Sequence, residues 1–190
     1  MFGNGSKDED NRHEANHGTH YTSLRRANEV RQLEWDGNGH AMNDDWRMNE
    51  LMGETGEVCN VLKKLHRERA GVPGSRADKE MLADEIADIV ICLDLFLMTK
   101  GIGPSTPVMR FVEGDTLTQV GRKLFDSVAR LNTVAHFDEN NDIWQVANDV
   151  HSRCLTLAAT EGIDLTMAVA KKFNETTRKM GLTTFLHTTD

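Results

Sequence analysis

GETGEVCNVLKKL (Gly53–Leu65) and LADEIADIVICLDL (Leu82–Leu95) carry one pattern twice. Around the first, Leu51, Thr55, Val58, Leu62 and Leu65 recur in alternating steps of four and three, the seam of a packed helix. Leu82, Ile86, Ile89, Leu93 and Phe96 repeat that seam in the second. Just ahead of each seam stand acids, Glu54 and Glu57 in one case and Glu85 and Asp88 in the other. Residues three apart share a helix face, so each pair projects together. Gly71, Pro73 and Gly74 mark a short turn between the segments, and a hairpin that packs seam on seam brings the acids to one edge of the interface.

Carboxylates beside a core are costly unless something pairs with them. A divalent cation is one such partner. Oxygen ligands without accompanying His or Cys favour a hard ion, Mg2+ or Mn2+, over zinc. The plainer alternative is a solvated acidic face, since single Glu-x-x-Glu pairs are common on helix surfaces.

Composition supports an all-α helical bundle. Among 190 residues there are three Pro and one Tyr, with long amphipathic runs and little β-type alternation. The length suits one domain, read as residues 23–190 after a polar arm over 1–22. His13, His17 and His20 lie in that arm, where Gly18 and the neighbouring Asn disfavour the helix that would align them for a metal. A formal net charge of −8 argues against nucleic acid as a partner. Cys59, Cys92 and Cys154 lack metal spacing and read as reduced, buried thiols. No stretch has the roughly 18 apolar residues of a membrane span, and no apolar signal-peptide core is present. A cytoplasmic protein without membrane partner is expected.

Three blocks carry a resemblance. They are ELMGETGEVCNVLKKLHRERAGVPGS (50–75), MLADEIADIVICLDLFLMTKGI (81–102) and GIDLTMAVAKKFNETTRKMGLTTFL (162–186). In content and order they are similar to the MazG-like, all-α nucleoside triphosphate pyrophosphohydrolases of phages and bacteria, whose hallmark is Glu-x-x-Glu followed by Glu-x-x-Asp. The resemblance implies cleavage of a (d)NTP between its α and β phosphates, giving a monophosphate and pyrophosphate. It implies Mg2+ or Mn2+ held by Glu54, Glu57, Glu85 and Asp88, and for such a reaction the charge around the α-phosphate calls for two or three ions and a ligand carboxylate, Glu54, as the catalytic base. It also implies substrate contacts from Lys172 and Asn174 of the Lys-Phe-Asn triplet and from Arg178, and a homodimer or homotetramer. Guanine nucleotides, dGTP or GTP, are the first expectation from a phage branch of the family, which would place the protein in a host cytoplasm. A nucleotide sensor that does not hydrolyse, or a helical interaction protein, are the alternatives on the same scaffold.

Asn60 and Lys64 follow Glu54 and Glu57 on the same helical wheel and are candidate phosphate contacts. Residues 103–161 depart from the compact family pattern and read as an inserted helical hairpin. It looks like a faded copy of the acidic one. Laying Leu51 over Leu117 aligns Leu65 with Leu131, and laying Asp88 over Asp149 aligns the shared ending Thr-x-Gly-Ile. In that alignment Glu54, Glu57 and Glu85 fall on Val120, Lys123 and Val146, so the copy keeps its helices and loses its ligands.

Overall fold

Four helix starts are written in a side chain. Ser23, Asn43, Asp78 and Asp164 adopt extended backbone and accept a hydrogen bond from the amide three residues on, at 3.4, 3.0, 2.8 and 3.0 Å. Four helix ends, at Gly71, Gly101, Gly162 and Gly181, share one signature. Gly101 and Gly162 take positive φ of 67° and 64°, and the next amides, of Ile102 and Ile163, donate back to Leu97 and Ala158 at 2.9 and 2.8 Å. A computed structural model describes residues 19–37, 42–109, 114–137 and 140–188, with the side chains of 19, 20, 140 and 141 left aside.

Within those residues the order is β1 (Thr19–Tyr21), α1 (Leu24–Asp36), α2 (Asp44–Arg69), α3 (Lys79–Thr99), α4 (Leu117–Phe137), α5 (Asn140–Thr160), α6 (Leu165–Lys179) and β2 (Thr184–Leu186). The protein is an all-α bundle. The ten seam residues of α2 and α3 are all buried. α2 packs on α3 and α4, while α5 packs on α4 and α3, which closes a four-helix ring. α1 and α6 cover the far side of α3, so α3 is buried almost all round from Ile86 to Leu97.

The inserted hairpin is present as α4 and α5, and its seam matches. Leu117, Gly121, Leu124, Val128 and Leu131 are buried like Leu51, Thr55, Val58, Leu62 and Leu65. Ile143, Ala147, Val150, Cys154 and Leu157 are buried like Leu82, Ile86, Ile89, Leu93 and Phe96. Each hairpin therefore contributes two helices to the ring through corresponding positions. Where the first hairpin has acids, the second has Val120, Lys123, Val146 and Asp149, and a hollow of about 350 Å³ opens against Val120, Lys123 and Asp149.

One expectation changes. The arm over 1–22 ends earlier than its polarity suggests, because Thr19–Tyr21 pairs in parallel with Thr184–Leu186 and His187 donates its amide to the Tyr21 carbonyl at 2.7 Å. His20 lies in that strand, opposite Phe185, while His13 and His17 lie outside the described residues. Unlike α2 and α3, α1 carries no buried apolar seam. Leu33 and Trp35 are 62% and 40% exposed, and α1 instead buries Ala27, Asn28 and Arg31. Its anchor is polar: Asp94 on α3 accepts from Arg25 Nε at 3.0 Å and Asn28 Nδ2 at 2.9 Å, and Arg31 donates to the Phe173 carbonyl at 3.0 Å. Cys92 and Cys154 are buried free thiols and Cys59 is half-buried, with burial pushing Cys154 up to about 12. Among the described residues no helix is long and apolar enough to cross a membrane.

Candidate metal and ligand site

The α2–α3 hairpin delivers what its seams require. Because the acids flank buried positions, packing Leu51, Thr55 and Val58 against α3 leaves Glu54 half-buried and facing Glu85 and Asp88. One carboxylate oxygen from each of Glu54, Glu85 and Asp88 lies within 4.8 Å of the others. Glu57 is exposed one turn on, close enough to share a hydrogen bond with the Glu85 carboxyl.

Such proximity is unfavourable for bare carboxylates, and their proton affinities record it. Burial, followed by the charges of Asp88, Glu57 and Glu85, pushes Glu54 up to about 7. Burial, then the charge of Glu57, pushes Glu85 up to about 6. Asp88 also rises, because burial outweighs the ammonium of Lys172, whose Nζ lies 2.7 Å from Asp88 Oδ2. Burial by itself would lower Lys172, yet its hydrogen bond to Asp88 and the surrounding carboxylates raise it. Oxygen-only donors that repel one another suit a hard divalent cation. Glu54, Glu85 and Asp88 form a group that could hold one.

Beside these acids lies a cavity of about 280 Å³, near the low end of the roughly 300–1,000 Å³ usual for small-molecule sites. Glu54, Asp88 and Lys172 form one wall. Trp35 and Trp46 line it while remaining 40% and 42% exposed. Arg31 and Arg47 line it although they are 4% and 2% exposed. Arg47 donates from Nη1 to Glu50 Oε2 at 2.9 Å and from Nη2 to Gln32, while its buried Nε meets no acceptor among the described residues. A larger hollow of about 440 Å³ between α2, α3 and α4 is spanned by a Lys100–Asp44 ion pair at 2.6 Å and has no comparable acid cluster.

The remaining expected contacts divide. Lys172 reaches the site. Asn174 does not, because both ends of its amide serve β2: Nδ2 donates to the Leu186 carbonyl and Oδ1 accepts the Leu186 amide, each at 2.8 Å. Asn174→Ala is expected to cost about 1–3 kcal/mol by leaving that backbone unpaired, read as a lower urea midpoint. Arg178 is exposed, with its guanidinium 5.6 Å from the centre of the Phe185 ring, and does not line the cavity. Asn60 and Lys64 stay on the α2 surface beyond Glu57, off the cavity wall. Sequence reasoning passed over Arg31, Arg47 and Glu50. Their signal was a charge at a core spacing, Arg31 four residues after Ala27 and Arg47 four before Leu51. No protein-family model, curated protein or solved structure matches the chain.

Proposed function

We propose that the protein is a Mg2+- or Mn2+-dependent nucleoside triphosphate pyrophosphohydrolase of the MazG-like kind, releasing a monophosphate and pyrophosphate. The observation that carries this reading is the convergence of Glu54, Glu85 and Asp88 beside a cavity walled by Lys172, Trp35 and Trp46. The similarity of three sequence blocks to that family supports it.

Glu54, Glu85 and Asp88, with Glu57 at the rim, would hold the cation, which supplies positive charge against the phosphate oxygens and the leaving pyrophosphate. Lys172 reaches this cluster from α6. Its ammonium offsets carboxylate charge on Asp88, and a phosphate oxygen entering beside Asp88 would meet the same donor. Glu54, pushed up to about 7 by burial and its acidic neighbours, lines the cavity, so it is the group placed to take a proton from an attacking water. The two indoles at the rim provide apolar surface for a base, leaving the phosphates on the acidic side. Guanine nucleotides head the substrate candidates by family resemblance.

The test is incubation of the pure chain with each common NTP and dNTP in Mg2+ or Mn2+, with products resolved by ion exchange. Monophosphate and pyrophosphate in equal amounts are expected, and chelator should stop their formation. Tight nucleotide binding without turnover would replace the hydrolase by a sensor.

A further inference from the structure

We propose that the hollow over the second hairpin is a second ligand site, which binds a phosphate monoester with an apolar body directly on Lys123 and Arg153, without a metal ion. It uses none of Glu54, Glu57 and Glu85, so it stands apart from the hydrolase reading.

The hollow is the counterpart of the cavity beside the acids. On α3 that cavity is lined by Asp88, Ile91, Cys92 and Leu95. The correspondence set by the buried seams carries these four, in order, to Asp149, Ser152, Arg153 and Thr156 of α5, and all four line the hollow. Across from them Glu54 gives way to Val120, which lines it as well. A repeated seam accounts for two helices packed in the same way. It does not require an opening at the same place, yet one is there, with about 350 Å³ of room for a small molecule.

What differs is the charge. At the four positions of the acids only Asp149 is a carboxylate, Glu57 has become Lys123, and Arg153 stands where the first hairpin has Cys92. Lys123 Nζ lies 2.6 Å from Asp115 Oδ2, and Arg153 Nε donates to Asp149 Oδ2 at 2.9 Å. Both partners of each pair line the hollow, so the charged ends border it and not the aliphatic stems alone. Each cation keeps donors in reserve. An ammonium has three N–H groups and a guanidinium five, and among the described residues Lys123 meets no second acceptor and neither Nη of Arg153 meets one. Their side chains are 36% and 32% exposed, which leaves those donors within reach of an incoming ligand. A phosphate monoester brings nearly two negative charges at neutral pH and three acceptor oxygens, enough to engage both cations at once. Val120 and Leu157 offer apolar wall to the rest of the molecule. In the first hairpin the clustered acids repel a phosphate unless a cation intervenes. In the second the corresponding opening admits one unaided.

The experiment is titration of the full chain, in chelator, with phenyl phosphate and separately with phenol, followed by backbone amide shifts in NMR. Phenyl phosphate should bind saturably, with the largest shifts at residues 120–123 and 152–157, and phenol should bind about tenfold more weakly or less. Lys123→Met and Arg153→Met should each weaken phenyl phosphate by about tenfold, while Glu54→Gln leaves its affinity unchanged. No saturable binding, shifts centred on Glu54 and Asp88, equal binding of phenol, or unaltered affinity in both methionine variants would overturn the proposal. If either methionine variant does not fold, the shift map and the phenol comparison on the wild-type chain decide.

Discussion

Glu54→Gln is expected to do two opposite things: lower nucleotide turnover by about 10²–10⁴-fold, the range for removing a positioned acid or base, and stabilise the metal-free protein at neutral pH. The second effect follows from proton linkage. In the folded chain Glu54 is pushed up to about 7, above the ordinary carboxyl value of 4.5. The native state therefore binds more protons than the unfolded chain between those values. Stability is highest below about pH 4.5 on this account and declines as pH rises through about 7. Glu85, pushed up to about 6, adds to the decline in the same direction. Because the site is half open to solvent, the loss from Glu54 is on the order of 1–2 kcal/mol after allowing for screening. Gln has nearly the same shape and never ionises, so its melting temperature in chelator should fall less between pH 5 and pH 8. Mn2+ should raise the wild-type midpoint at pH 8 and raise that of the variant much less. A wild-type midpoint that does not move with pH or with Mn2+ would mean that the acids do not form a site.

The largest expected loss of stability lies elsewhere. Asp94 is 4% exposed and joins α3 to α1 through Arg25 and Asn28. Asp94→Ala would leave the Arg25 guanidinium holding main-chain carbonyls alone, that of Ile102 at 2.7 Å and that of residue 94 at 3.5 Å, and would strip the buried Asn28 amide of its acceptor. Removing one partner of a buried pair costs about 3–5 kcal/mol. For a chain of this size that is about 10 °C in melting temperature. The exposed pair of Arg26 and Glu29, 2.9 Å apart on the same helix, is the control, and its removal should leave the midpoint almost unmoved. A small effect of Asp94→Ala would show that α1 is held by its apolar contacts after all.

These two residues also divide what the sequence could tell from what it could not. The seams of α2 and α3, and the acids beside them, were legible because helical periodicity is local: Leu51 to Leu65 state their own face. The same holds for the matching seam of α4. Asp94 is different. An acid inside the apolar run ICLDLFL announces a buried partner but does not say that Arg25 and Asn28 supply it, since they stand far away in the chain. Asn174 fails for a related reason. Its backbone partner Leu186 comes after the turn that follows α6, and a three-residue strand in polar surroundings has no period to betray it. Arg47 was hidden by its type, because an arginine near a helix start is ordinarily solvated.

The pairing of an acidic hairpin with a matching one that keeps only Asp149 of the four acids has an evolutionary consequence. In an assembly of two identical hairpins, every substitution strikes both halves, so neither can change without the other. Within one chain the halves mutate separately, and the α4–α5 half is free to drift wherever it still buttresses its neighbour. Tolerance should therefore differ between corresponding positions, with Val146 open to other apolar residues and Glu85 to few, and a deep mutational scan would trace the division along the bundle.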